Sequence, residues 1–560
     1  MADLRVALNI PDPLATILVQ RGLHLSEEGR EFLYPTLQAL PSPFLMKGMQ
    51  QAVEIIHQGI VDQQPFVIFG DYDVDGVTAT AVLLNFFAEL GVVCRFCHPD
   101  RFKDGYGLKA ELVEALLPEG EGIVITVDCG ISDRHEVERL VRGGRQVIVT
   151  DHHQPPGQLP EAHAVLNPWQ DGCQFPSRDL AGVGVAFFLA VGLRSYLHQK
   201  GYWQGGAPPN LKRLLDLVAV GTISDMVPLR GTNRILAKAG LAVMANTENQ
   251  GLSELLERCH MQRGQSVSHE DIAFQIGPRL NAAGRMGDAR RASALLSLGD
   301  RGEVSLLAEV IERENLARRE LTTRLVSEAV RMVEALAAHL RPCLILHGRE
   351  WHLGLLGIIS SKLVEMFSKP VLIFSGSGIL KGSARSVPGV NIHEAIEACA
   401  GEVIEFGGHS AAAGLSLKEE NLPAFMRAME ERVGGQMMGS EGALPRMSVD
   451  YLVTEATVYA DLETACTLLA PFGQGNPEPI FATERPCRLR NMQVIGKERN
   501  HLRFSAFLAD RWLDGVGFGF GKVADLATNG EARLTLAFSM KENRFNGQTR
   551  PQIMLLDVLS

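Results

Sequence analysis

The sequence predicts a multidomain α/β protein: a parallel-sheet domain, a long connecting helix, a smaller α/β domain and a C-terminal OB-type β-barrel. Three observations predict it. Apolar runs and helical patterns alternate between residues 65 and 150, and strands separated by helices make a parallel sheet with crossover connections. A helical pattern with few breakers runs from 303 to 340. Short strand-like runs at close spacing fill the C-terminal stretch, as in a small barrel. With 560 residues, and ~100–200 residues per domain, three to four domains fit.

The elements follow in order. Residues 1–45 form an N-terminal segment before the first domain, 46–300. In that domain 65–70, 92–97, 122–130 and 145–153 read as strands, and 78–90 and 108–117 as helices. Ligands of such sheets sit beyond the C-terminal ends of the strands. Residues 211–297 look mostly helical, and 301–341 connect the domains without a sustained heptad. The second α/β domain, 342–435, opens with strands at 343–348 and 370–376. A Gly-, Met- and Ser-rich linker, 434–445, precedes a barrel at 446–560 with strands near 487–496, 501–509, 512–521, 532–540 and 551–559.

Composition narrows the class. At 46% apolar and 21% charged the chain is neither disordered, collagenous nor coiled coil. Its longest apolar stretch, 183–193, is short of the ~20 residues a membrane span needs. The first residues, MADLRVALNIPDP, do not read as a secretory signal. Nine cysteines in so long a chain point to the reducing cytoplasm, not to a disulfide framework. Cys94-x-x-Cys97 has no partner pair and reads as two core thiols. The net charge of −11 argues weakly against a nucleic-acid partner.

Four clusters fall at strand ends: GDYDVDG with Asp71, Asp73 and Asp75; VDCG with Asp128; TDHH with Asp151, His152 and His153; and GTISDMVPL with Asp225. A lone aspartate after a strand is most often a helix cap or turn residue. Three such clusters on one sheet share a face, however. Carboxylates converging there repel unless a cation joins them. Mixed carboxylate and imidazole ligands suit Mn2+ or Mg2+.

In this order and spacing the motifs resemble the DHH phosphoesterase superfamily. KGSARS (381–386) and FGGHSAAAG (406–414) resemble its DHHA1-type associated domain. With IGPRLNAAGRMGDA (276–289) and the barrel, the chain is similar to the branch of single-strand-specific 5′→3′ DNA exonucleases acting in DNA repair and recombination. The resemblance spans residues 45–560. It implies two divalent ions, Mn2+ or Mg2+, on Asp73, Asp75, Asp128, His152 and Asp225. Asp128 would bridge them, His153 would contact the scissile phosphate, and Asp71 and Asp151 would be orienting residues or further ligands. It also implies hydrolysis to 5′-mononucleotides without a covalent intermediate. Single-stranded DNA is the expected partner, with a single-strand-binding protein and a RecQ-type helicase as candidate protein partners.

Phosphate contacts are expected from Arg279, Asn281 and Arg285, and from Ser383 and Arg385. Gly407 and Gly408 beside His409 allow close backbone approach, and Arg101 and Tyr106, with Lys103, suit a stacked single strand. Residues 451–560 hold 12 basic and 12 acidic residues. A stripe there could include Arg488, Arg490, Lys497, Arg499, Arg503, Lys541, Arg544 and Phe545, while Phe504 and Phe507 are expected in the core.

Three other readings are weaker. Superfamily members acting on short RNA or cyclic dinucleotides are shorter and lack a barrel. A non-catalytic scaffold predicts lost ligands, and every ligand position is filled. An oxidoreductase needs G-x-G-x-x-G, which GDYDVDG is not. The acidic net charge then confines DNA to a local groove lined by Arg101, Arg279, Arg285 and Arg385.

Overall fold

Apolar strand residues flanked by helices build the first sheet. The computed structural model describes residues 2–117, 120–297, 299–438, 447–528, 530–545 and 548–559. The sheet has five strands: β1 (Phe66–Gly70), β2 (Cys94–Cys97), β3 (Ile123–Val127), β4 (Gln146–Thr150) and β5 (Ala164–Leu166). They pair in the order β2-β1-β3-β4-β5, all parallel. β1 and β3 are buried along their whole lengths, as near-continuous apolar runs require. The order reverses between β1 and β3, and ligands of such sheets bind at this switch point. β5 joins beyond the four expected strands, because three residues show no legible alternation.

The Arg301–Ala335 helix connects two domains. Its buried positions Val304, Ala308 and Ile311 belong to the first domain's core. Leu325, Ala329 and Val333 belong to the second's. These spacings of three and four keep one face inward over both domains.

The second sheet runs β6 (Leu344–His347), β7 (Val371–Ser375), β8 (Ile379–Arg385), β10 (Ala412–Lys418), β9 (Glu405–His409). β6 and β7 are parallel and the rest antiparallel. KGSARS lies on β8, and FGGHSAAAG forms the β9–β10 hairpin. The Leu422–Met438 helix covers residues 434–438 of the expected linker, and 439–445 lie outside the described residues.

The third sheet holds β11 (Tyr451–Val453), β12 (Phe481–Thr483), β13 (Cys487–Ile495), β14 (His501–Leu508), β15 (Arg511–Gly517), β16 (Ala532–Phe545) and β17 (Gln548–Leu559). Five of them close a ring: β13–β14–β15 antiparallel, β15–β17 parallel, then β17–β16 and β16–β13 antiparallel. This is the five-stranded barrel expected. Phe504 is in its core at 1% exposure, but Phe507 is 42% exposed, against the expectation for it. On β14 Leu502, Phe504, Ala506 and Leu508 point inward, so a period of two puts Phe507 outward with Arg503.

The N-terminal helices share the barrel's core, where Leu14, Ile17 and Leu18 join Leu462 and Leu469. Arg234 fastens this assembly to the first domain. It is buried, its guanidinium stacks 3.8 Å from the Phe32 ring centroid, and it donates to the carbonyls of Phe32 (2.7 Å), Leu468 (3.1 Å) and Ala470 (3.0 Å). Burial and the nearby Arg21 lower its pKa to about 9. Arg234→Leu would strand these carbonyls and should cost ~3 kcal/mol or more. Denaturant unfolding followed by tryptophan fluorescence checks this, and an unchanged midpoint would contradict it.

Candidate metal centre and groove

Three acids, Asp71, Asp73 and Asp75, follow the end of β1. Asp73 caps the Val74–Glu89 helix, with one carboxylate oxygen accepting from the Asp75 and Gly76 amides at 2.9 and 3.2 Å. The cap and ligand readings are therefore compatible, since the second oxygen stays available. The Asp75 carboxylate accepts from the Gly182 and Val183 amides at 2.7 and 2.8 Å, at the start of the Gly182–Gln199 helix. A helix N-terminus favours negative charge.

Asp128 follows β3 with φ +60°, a left-handed conformation uncommon outside glycine. A Cβ on Gly182 would meet its carboxylate at 2.7 Å, so glycine is what lets the helix start so close. His152 follows β4. Its Nε2 lies 3.1 Å from Asp128 Oδ1, 3.7 Å from Asp225 Oδ2 and 3.9 Å from Asp75 Oδ2. A hydrogen bond to the Leu180 backbone holds the ring. Asp225 ends the Leu215–Ser224 helix and not a strand as expected, the apolar run before it being helical.

The donor atoms form three overlapping groups: Asp71–Asp73–Asp128, Asp75–His152–Asp225 and Asp128–His152–His153. Asp128 and His152 each belong to two. Asp71 Oδ1, Asp128 Oδ1, His152 Nε2 and Asp225 Oδ2 are all buried without a hydrogen-bond partner. Buried polar atoms are rarely left so, and converging lone pairs from carboxylates and imidazole are the donor set of a divalent cation. The residues fit the expected ions.

The titration behaviour agrees. Burial and neighbouring carboxylates push Asp71, Asp128 and Asp225 well above the ordinary range, and Asp75 to about 7. Burial and the adjacent His153 lower His152 to about 4, leaving it neutral and able to ligate. The metal-free fold thus keeps protons that the unfolded chain releases near pH 4. Its stability should fall as pH rises from about 4 through 7 and beyond. Cations would replace those protons, so Mn2+ should raise Tm more at pH 8 than at pH 6. Saturation at a hundred times Kd is worth about 2.7 kcal/mol. Thermal unfolding with Mn2+ against EDTA tests this, and a larger shift at pH 6 would contradict it.

Asp151 is occupied differently. One oxygen accepts from the His152 amide, the His153 amide and His153 Nδ1 at 2.7, 3.1 and 2.8 Å, and the other from the Ile131 amide at 2.9 Å. Burial would raise its pKa, but the His153 hydrogen bond and charge hold it low. Asp151 in turn raises the pKa of His153 against burial. The Tyr106 hydroxyl lies 3.3 Å from His153 Nδ1, and Asn167 donates to the His153 carbonyl at 2.9 Å.

Two adjoining cavities, about 570 and 1020 Å³, separate the α/β domains and share Lys381, Gly382 and Gly414. The first is lined by Arg101, Arg285, Ser383 and Arg385. The second is lined by Tyr106, His153, Gly407, Gly408 and His409. Arg101 packs over the Tyr72 ring at 4.8 Å. Arg285 donates to the Gly354 carbonyl at 3.1 Å, and Arg385 to Ser383 Oγ at 3.2 Å. No ion pair among the described residues involves these three arginines. Burial and then Arg101 lower Arg285 to about 10 and lower Arg385. Three crowded guanidiniums, none of them ion-paired, suit a phosphate, although Glu365 also lines this cavity.

Arg279 and Asn281 line neither cavity. Arg279 forks onto Glu312 at 2.6 Å and donates to the Gln275 carbonyl at 2.9 Å, clamping its helix to the connecting helix instead of facing the groove as expected. Asn281 sits half-buried on the same Gly277–Met286 helix. Residues missed on the sequence include Tyr72, Asn167 and His98, whose contacts are long-range. Cys94 and Cys97 are unpaired, and burial pushes both thiols up to about 12.

Comparisons with known proteins point to one family. Three family models match: "DHH family, N-terminal domain" over residues 65–222, "DHHA1 domain" over 335–435 and "RecJ OB domain" over 449–557. The single-stranded-DNA-specific exonuclease RecJ of Bacillus subtilis is 35% identical, over 98% of this chain and 68% of its own length. The Escherichia coli protein of that name is 35% identical, over 99% of this chain and 96% of its own length. The crystal structure of Thermus thermophilus RecJ in complex with Mn2+ superposes with a TM-score of 0.80 at 28% identity, covering 100% of this chain and 77% of that one.

Proposed function

The chain belongs to the RecJ family of single-stranded-DNA-specific exonucleases, within the DHH superfamily, and on that premise we propose that it removes 5′-mononucleotides from the 5′ end of single-stranded DNA. The observation that carries the reading is the juxtaposition of unsatisfied ligand atoms at the β1/β3 switch point with a cavity that gathers Arg101, Arg285 and Arg385.

Asp73, Asp75, Asp128, His152 and Asp225 would hold two divalent cations, Mn2+ or Mg2+, and the unpartnered Asp71 oxygen would make it a further ligand. Asp128, common to two donor groups, would offer its carboxylate to both sites. When bound, such ions supply an activated water and neutralise charge at the phosphodiester. His153, its ring held by Asp151 and its carbonyl by Asn167, donates to the scissile phosphate as its charge grows. A water oxygen bonds to the scissile phosphorus as the P–O3′ bond breaks, and the released nucleotide's 3′ oxygen takes a proton. The scissile phosphate stays on the 5′ oxygen of the shortened strand, while the released nucleotide keeps the 5′-phosphate it already carried. Arg101, Arg285, Ser383 and Arg385 hold the terminal 5′-phosphate, whose greater charge than an internal diester suits three guanidiniums.

The strand continues past His409 and the Gly407–Gly408 edge. On the barrel, Arg533, Arg488, Phe507 and Trp512 stand in one cross-strand row over β16, β13, β14 and β15. Arg490 lies 3.9 Å over the Trp512 ring. Aromatics interleaved with cations stack single-stranded bases. The Arg544 and Phe545 side chains of the expected stripe lie outside the described residues. No described helix is long and apolar enough to cross a membrane. Nine unpaired cysteines fit the cytoplasm, and a role in DNA repair and recombination with a single-strand-binding protein and a RecQ-type helicase rests on the family.

Incubation with Mn2+ and single-stranded DNA, duplex DNA, short RNA or cyclic dinucleotides tests the substrate class. Single-stranded DNA should be degraded fastest, with affinity falling as salt rises. Activity confined to dinucleotides would overturn the reading.

A further inference from the structure

We propose that His98 is a positioning residue for the metal-binding turn, and that it ties this turn to the arginine-bearing helical region. His98 directly follows β2 and is buried. Its Nδ1 lies 2.9 Å from both the Gly70 and the Asp71 carbonyl oxygens. Carbonyls only accept, so Nδ1 carries the proton and donates to both. Two consecutive carbonyls are thus drawn to one side, where the chain leaves β1 and begins the Asp71–Asp73–Asp75 turn. The far nitrogen, Nε2, is 2.7 Å from Ser293 Oγ.

Ser293 belongs to the Arg290–Ser297 helix, which follows the Gly277–Met286 helix carrying Arg285. One imidazole therefore bridges the end of β1 and the helices behind the phosphate cavity. The packing is close: a Cβ on Gly70 would meet His98 Cε1 at 2.8 Å. The Gly277–Met286 helix also touches the acidic turn directly, where a Cβ on Gly284 would meet the Tyr72 carbonyl oxygen at 2.5 Å. With the backbone pinned from both sides, the Asp71 and Asp73 oxygens have a defined place relative to Asp128. Residues that orient ligands in this way typically set metal affinity by 10–100-fold.

The inference rests on the proposed metal site, and wild-type protein separates the two: a wild type that binds no Mn2+ would refute the site itself. Mn2+ binding is measured by calorimetry and by the Mn2+ EPR spectrum, beside Tm, on the full chain. His98→Leu should weaken Mn2+ binding by about 10–100-fold and broaden the spectrum. His98→Asn, whose amide nitrogen takes the place of Nδ1, should recover most of the affinity. A structural role alone would lower Tm in both variants and leave Mn2+ affinity unchanged. If His98→Leu does not fold, Ser293→Ala carries the test, with about tenfold weaker binding expected. Wild-type affinity and spectrum in a folded His98→Leu, or in Ser293→Ala in its place, would overturn the proposal.

Discussion

Asp128→Asn should lower the rate of strand hydrolysis on the order of a thousandfold while leaving the metal-free fold as stable as the wild type or more so. The two effects have one origin. Asp128 is buried at 2% exposure among Asp71, Asp73, Asp75 and Asp225, so its charge opposes folding when no cation is present. Asparagine removes that charge at nearly constant volume, and it tolerates the left-handed φ of +60° better than most residues. The same change withdraws an anionic ligand from both donor groups that share Asp128. A metal supplies several kcal/mol of transition-state stabilisation, and each 1.36 kcal/mol is tenfold in rate. Single-turnover cleavage and thermal unfolding check the pair of outcomes. Retained cleavage would remove the bridging role, and a large loss of Tm without EDTA dependence would make Asp128 a structural residue.

Arg385→Ala should lower kcat/KM by about 10–150-fold on strands ending in a 5′-phosphate, and far less on strands ending in a 5′-hydroxyl. Hydrogen bonds to charged groups contribute ~1.5–3 kcal/mol each, which gives that range. Arg385 is positioned from within its own strand, donating to Ser383 Oγ and the Ala384 carbonyl. Arg101 approaches from the first domain, braced on Tyr72, so the cavity exists only with both domains in place. Lysine at 385 would keep the charge without the planar fork and should recover only part of the loss. Equal loss on both strand ends would place the terminal phosphate elsewhere.

Elements legible in the sequence are those with local causes. β1, β3 and β4 are apolar runs closed by polar motifs, and each motif lies at a strand's C-terminal end. The connecting helix has few breakers over its 35 residues. Contacts between distant segments were not legible. Arg279 looked like a groove residue because Glu312, 33 positions away, does not announce itself as its partner. Nothing near residues 1–45 signals that Leu14 and Leu18 pack beside Leu462. His98 meets Ser293, 195 positions on, and so carries no local pattern. Phe507 differs, since alternation with Arg503 along β14 placed it outside and aromatic character alone outweighed that signal. In the metal centre, the sequence could bring Asp151 only to the site. The structure separates it from Asp71: both oxygens of Asp151 are engaged by N–H groups, while an Asp71 oxygen has no partner.

The most direct test of the account uses one single strand with a 5′-phosphate, labelled at either end in parallel and incubated with Mn2+. The arginine cavity beside the metal cluster predicts that a 5′ label is released as mononucleotide from the first time points. A 3′ label should pass instead through a ladder of progressively shorter strands. Mononucleotide released first from the 3′ label, with the 5′ label passing through the ladder, would contradict it.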